Sequence, residues 1–204
     1  MNLAVFASGR GSNARAILRA IEEGRLSAHA VLVLSNRSDA GVLEIARSHG
    51  IDAVHCSEKM FDTEETFASR ILSLLGERDV GLIALAGYLK RVPRAVVARY
   101  RHRIANIHPA LLPAFGGAGM YGHHVHDAVI ASGAKVSGAT VHLVDEEYDR
   151  GPILLQRVVT VTQEDTPETL AEKVLEIEHE IFPIALGAMA EGRVVAEGRR
   201  AWIR

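Results

Sequence analysis

The amino-acid sequence predicts an α/β fold: a mostly parallel sheet through the first half, antiparallel strands in the second, and helices over both faces. Two observations carry that expectation. Up to roughly residue 100, short apolar runs alternate with segments of helical period, the order of a parallel sheet with helical crossovers. Beyond it, two β-rich runs, Val136 to Val144 and Ile153 to Val161, have no helix between them and are expected to pair antiparallel across the turn Asp145 to Gly151.

Each element follows from local pattern. Leu3 to Ala7 is an apolar run ending in Ser8-Gly9-Arg10-Gly11-Ser12-Asn13, after which Ala16, Ile17, Ala20 and Ile21 recur at helical spacing as far as Gly24. Ala30 to Leu34 is a second strand, followed by the cap-rich loop Ser35 to Asp39, a helix over Val42 to His49 closed by Gly50, and a weaker strand over Asp52 to His55. A third helix fits Thr63 to Leu75, with Phe67, Ile71, Leu74 and Leu75 on one face; Val80 to Leu85 then has the continuous apolarity of a strand buried on both faces. Ile104 to Ile107 is a further strand, and Pro109, which cannot donate to a ladder, stops it with His108 at its exit. Ala114 to Tyr121 is a glycine-rich loop, and His123 to Ser132 a helix closed by Gly133. Thr166-Pro167-Glu168-Thr169 starts a last helix that runs to about Met189 and that Pro183 should kink or break; Val194 to Ile203 is expected to finish as one strand.

At 204 residues, 48% hydrophobic and 24% charged, the chain has the length for one core and the composition of a globular protein; residues 1–204 read as one domain. A formal charge of −2 gives no reason to expect nucleic acid or an acidic membrane as partner, and the basic clusters Arg99 to Arg103 and Arg199-Arg200 read as solvated faces. The single cysteine, Cys56, excludes an internal disulfide and reads as a buried or half-buried strand-end residue. The amino terminus lacks a basic segment ahead of a long apolar one, and no run approaches the roughly 20 apolar residues that span a bilayer, so a cytoplasmic protein is expected.

Four segments carry chemistry. Gly9-Arg10-Gly11-Ser12-Asn13-Ala14 joins a strand to a helix; glycines allow a tight turn and close approach, and the free helix N–H groups favour an anion. The run also satisfies the dinucleotide template G-x-G-x-x-[G/A], but the second strand ends in Ser35-Asn36-Arg37 without a ribose-binding carboxylate, and Arg37 suits only a 2′-phosphate. A single phosphate monoester is the favoured ligand. Asn106 and His108 project to one side of an extended chain, a donor amide beside a ring that titrates near neutrality. The turn Asp145-Glu146-Glu147-Tyr148-Asp149 supplies carboxylates, one of which would pair with His108 and raise its pKa; spacing does not choose among them. In His123-His124-Val125-His126, residues two apart on a helix do not share a face and no further ligand set stands at zinc spacing, so no metal is expected. Glu178 and His179 on the last helix face either a ligand or water, and water is the favoured reading.

Gly9 to Asn13, Asn106 to Pro113 and Asp149 to Gln156, taken together, resemble the phosphoribosylglycinamide formyltransferases, folate-dependent enzymes of purine synthesis, over essentially the whole chain. The resemblance implies a Rossmann-like first half over roughly residues 1–100 that holds phosphate, and a second half over 101–204 that carries the catalytic and folate sites. It implies that Asn106, His108 and Asp149 are catalytic, Asp149 keeping His108 charged and oriented. By the same resemblance Gly11, Ser12, Asn13 and Glu178 would bind glycinamide ribonucleotide, while Leu89, Lys90, Arg91 and Val92, with Asn106 and the loop Asp145, Glu146, Glu147, Tyr148 and Asp149, would bind the co-substrate 10-formyltetrahydrofolate. No metal is implied, and a monomer or homodimer is. The chain departs from the family at Glu64, near which a basic residue can reach the folate tail, at Leu175, which replaces a polar substrate contact of some members, and in the longer loop Phe115 to Gly122. The alternatives are a formyltetrahydrofolate hydrolase, a formyltransferase acting on another amine and, more distantly, an NADP-dependent oxidoreductase resting on Gly9, Gly11, Ala14 and Arg37.

Overall fold

The alternation of the first half folds into parallel crossovers. In the computed structural model, which describes residues 1–204, β1 (Asn2–Phe6), β2 (His29–Ser35), β3 (Asp52–His55), β4 (Leu82–Leu85) and β5 (Ile104–His108) are joined through α1 (Ser12–Glu22), α2 (Gly41–Ser48), α3 (Glu64–Gly76) and α4 (Arg94–Arg99). These strands lie side by side in the order β3-β2-β1-β4-β5, all parallel. The chain winds outward to β3 and then returns to the far side of β1, so the order reverses there, and a crevice opens at the carboxyl ends of β1 and β4. The glycine turn after β1 lies at that crevice.

Strand alternation divides the core. On β1, Leu3 and Val5 join a cluster of 31 buried residues, while Ala4 and Phe6 join a second cluster of 19. Helices therefore cover both faces, as continuous apolarity in β1 and β4 requires. Cys56 is buried just after β3, and burial pushes its thiol upward, against any role as a nucleophile.

β6 (Val136–Leu143) and β7 (Ile153–Thr160) extend the sheet from β5, each antiparallel to its neighbour. α5 (His123–Ser132) precedes them, and α6 (Pro167–Ala190) packs against α1, α5, β6 and β7. Thr166 and Thr169 cap α6 reciprocally with Pro167 in the first turn, and the Asp165 carboxylate receives Thr162 N at 2.7 Å and Lys173 Nζ at 2.7 Å. The expected break at Pro183 does not occur: α6 is one helix of 24 residues. Ile181, Phe182, Ala185 and Leu186 around the proline are fully buried, and that packing outweighs the lost backbone bond.

Two further elements differ from expectation. Val194 to Ile203 is two strands, β8 (Val194–Glu197) and β9 (Arg200–Ile203), because Gly198 turns the chain at φ 59°. β9 pairs with β7, and β8 closes a sheet of nine strands. α4, for which no helix was expected, has only six residues, too few to display a period. No helix is long and apolar enough to cross a membrane.

Candidate active site

The register of β5 against β6 builds the centre. Asn106 lies opposite His142, and His108 opposite Thr140. The His142 Nδ1 is 2.9 Å from the Leu143 carbonyl oxygen, which can only accept, so that nitrogen carries a proton and Nε2 receives the Asn106 amide at 3.0 Å. One Asn106 N–H is thus committed and the second is left for a ligand. By the same argument His108 Nε2, 2.8 Å from the Phe115 carbonyl oxygen, carries a proton, and its Nδ1 faces Asp149 Oδ2 at 3.6 Å. Asp149 Oδ1 stands 3.6 Å from His142 Nε2, and Gly117 N donates to Asp149 Oδ2 at 2.9 Å. Of the carboxylates in the turn, the fold brings Asp149 to the rings; Glu146 and Glu147 are exposed.

Burial decides the resting charge of His108. The residue is 3% exposed, and desolvation pulls its pKa below the ordinary histidine value; Asp149 and the Phe115 carbonyl push the other way, and His142 adds to the lowering. The expected upward shift is therefore overturned, because removal from water outweighs one carboxylate 3.6 Å away. Burial also opposes ionisation of Asp149, yet the neighbouring histidine rings and the Gly117 amide that donates to it hold its carboxyl below the usual range. An ionised Asp149 thus faces a neutral ring at rest. The arrangement is poised for a proton: with both nitrogens protonated, His108 meets the Phe115 oxygen on one side and the carboxylate on the other.

The glycine turn prepares a second feature. Gly11 caps α1 at φ 83°, and a Cβ there would sit 2.9 Å from Val42 Cβ, so conformation and space both require glycine. The amides of Ser12, Asn13 and Ala14 meet no acceptor, leaving three donors and the positive end of α1 for an anion. The Asn13 side chain gives its amide to Glu178 Oε2 at 2.8 Å. Glu178 is buried rather than facing water, and burial raises its pKa to about 7 against the pull of Asn13. A carboxyl raised from 4.5 to about 7 on folding stabilises the chain below pH 4.5, and that contribution is lost as pH rises through 7. Glu178→Gln is accordingly expected to flatten the fall in melting temperature between pH 5 and 8, as followed by circular dichroism.

A single cleft of about 550 Å³ unites these groups. Asn106, His108, His142 and Asp149 line it, as do Ser12, Asn13 and Glu178, the strip Leu89, Lys90, Arg91 and Val92, and the turn Asp145, Glu146, Glu147 and Tyr148. Gly11 shapes the turn without lining the wall. Leu89 N is held by Ser8 Oγ at 2.8 Å, and Arg91 reaches the Glu146 carbonyl, so strip and turn are tied together. Leu175 also lines the cleft, whereas Glu64 is outside it and accepts Arg94 N at 3.3 Å. Arg37 lies outside it too and is paired with Asp39 at 2.8 Å.

Sequence reasoning missed His142 and the anchoring role of the glycine-rich loop. A histidine inside the otherwise apolar run Val141 to Val144 was the available signal for the first. For the second, Phe115 and Asp149, the residues flanking His108, both adopt left-handed backbone, at φ 53° and 54°. Such conformations in non-glycine residues cost energy and gather where a site needs a side chain or carbonyl held at a fixed angle. His126 lines the cleft, is buried and has an Nδ1 without a partner. No group of three or more His, Cys, Asp and Glu is placed to hold a metal.

Residues 1–186 match the family described as formyl transferase. The chain is 46% identical over 193 residues to the chloroplastic phosphoribosylglycinamide formyltransferase of Arabidopsis thaliana, covering 94% of this chain but 66% of that protein, just under two thirds of its length. It is 37% identical to the phosphoribosylglycinamide formyltransferase of Bacillus subtilis, covering 88% of this chain and 90% of that one. The solved structure of glycinamide ribonucleotide transformylase 1 from Symbiobacterium toebii superposes with a TM-score of 0.93 at 40% identity, covering 100% of this chain and 93% of that chain.

Proposed function

Since the chain belongs to the formyl transferase family, we propose that it moves the formyl group of 10-formyltetrahydrofolate to the amine of glycinamide ribonucleotide. The observation that carries this reading is the meeting, in one cleft, of the Asn106–His108–Asp149 set with the three unpaired amides at the start of α1. The amides of Ser12, Asn13 and Ala14 take the substrate phosphate, and Glu178 contacts the substrate's other end. Leu89 to Val92 and Asp145 to Asp149 receive the pterin. Residues 1–204 act as one formyltransferase domain, in the cytoplasm, as a monomer or homodimer, without metal, nucleic acid or membrane.

The reaction needs an oxyanion partner and a carrier for one proton. The substrate amine attacks the formyl carbon, a C–N bond forms, and the carbonyl oxygen takes up negative charge, which the free N–H of Asn106 stabilises, joined by the His108 ring once it has taken the amine's proton. The neutral ring is suited to receive the proton released by the attacking amine, since Asp149 lies in place to stabilise the resulting imidazolium. His108 then returns the proton to N10 of the folate as the old C–N bond breaks.

Purified chain with 10-formyltetrahydrofolate should release tetrahydrofolate only when glycinamide ribonucleotide is present. Release without it would identify a hydrolase, and no release in either case would sink the formyl-transfer reading. Asp149→Asn keeps the side chain's shape but removes its charge; turnover is expected to fall about a hundredfold, measured against an unchanged melting temperature. Turnover near that of the parent would dissolve the His108–Asp149 partnership.

A further inference from the structure

Arg199 and Arg200, which the sequence presents as a solvated face, are gathered into a groove. The Gly198 turn sets them beside Arg150, and Arg199 Nη2 donates to the Arg150 carbonyl oxygen at 2.9 Å. Alternation along β9 puts Arg200 and Trp202 on the same side of the strand. With Leu112, Pro113 and Ile153, these residues wall a groove of about 580 Å³ that is distinct from the cleft, although Asp149 contributes to both.

The groove's charge is unbalanced. The arginine ion pairs of the chain engage Arg19, Arg25, Arg37, Arg47, Arg70, Arg78, Arg157 and Arg193, and none involves Arg150, Arg199 or Arg200. The one carboxylate in the wall, Asp149, accepts Gly117 N, so the wall sets three guanidiniums against a single carboxylate. Even with Asp149 in the wall and Glu197 opposite Arg200 across the β8–β9 pair, the three guanidiniums leave the groove with net positive charge, which a polyanion placed among them offsets. Guanidinium forks match phosphate oxygens in pairs. Beside them stands Trp202, the chain's single tryptophan, 37% exposed, with an indole face that can stack on a planar ring.

We propose that this groove is a second ligand site, which takes a phosphorylated nucleoside with its phosphates among Arg150, Arg199 and Arg200 and its base on Trp202. The inference goes beyond formyl transfer and does not depend on it.

Tryptophan fluorescence tests it directly, because all of that signal arises in the groove. Titration with ADP should give saturable quenching, with adenosine and inorganic pyrophosphate each binding about tenfold or more weakly because each offers only half of the contacts. The double variant Arg199→Ala/Arg200→Ala, altered at an exposed turn residue and the exposed first residue of β9, should bind ADP about tenfold or more weakly at an unchanged melting temperature. If that variant melts early, Arg150→Ala supplies the same comparison. Absence of saturable quenching by ADP, quenching that survives the arginine substitutions, or pyrophosphate binding as tightly as ADP would each overturn the proposal.

Discussion

Replacing His108 with alanine is expected to slow formyl transfer about a thousandfold and to leave the chain folded. In the proposed mechanism the ring both stabilises the tetrahedral oxyanion and carries the transferred proton, and neither Asn106 nor Asp149 can supply both. The structural cost is smaller. The half-buried Phe115 carbonyl loses its 2.8 Å partner, a penalty of about 1 kcal/mol, and melting should fall by a few degrees. The pH profile carries the sharper test. Burial holds the resting ring neutral, so the decline of kcat/KM in acid should combine protonation of the ring with that of the attacking amine. His108→Ala should keep only the amine's share, with a shallower acid limb. A variant that kept most of the parent rate would remove His108 from the chemistry.

Gly151→Ala is expected to give the largest loss of stability, about 3 kcal/mol or more, with a fall in melting temperature on the order of 10 °C for a chain of this length. A Cβ at this position would lie 1.8 Å from the Leu143 carbonyl oxygen and 2.9 Å from its carbon, both backbone atoms of β6. No rotamer change relieves a clash with a strand; the start of β7 has to move away from β6. Asp149 stands two residues before this glycine and would move with it, so turnover should fall more than tenfold even where the protein remains folded. Gly76→Ala is the control: a Cβ there meets nothing within 4 Å at the end of α3, and both melting temperature and rate should be nearly unchanged. Equal melting of the two variants would show that the β6–β7 pair yields readily.

Much of the fold was legible because local pattern and tertiary environment agree. β1, α1 and the turn between them follow from an apolar run, two glycines and a helical spacing. The antiparallel pair β6–β7 follows from two β-rich runs with a turn and no helix. Agreement failed where a local signal was outweighed or too short. Pro183 is a strong helix breaker, but its neighbours are fully buried and hold α6 together. Gly198 divided a run that reads as one strand, and α4 was too short to show a period.

For the candidate site, Asn106, His108 and the glycine turn could be singled out from the chain, and the family resemblance added Asp149 and Glu178. Their environment could not be read. Residue type determines which groups can titrate, donate or carry charge, whereas desolvation and hydrogen-bond partners depend on what the fold places within a few ångströms. Only the tertiary structure put His142 opposite Asn106, drew the Phe115 carbonyl and the Gly117 amide onto the His108–Asp149 pair, turned the Asn13 amide to Glu178, and made burial rather than Asp149 the dominant influence on His108. The sequence by itself determined the chemistry available to this protein; the fold decided, through burial and approach, the charge and partner with which each group begins.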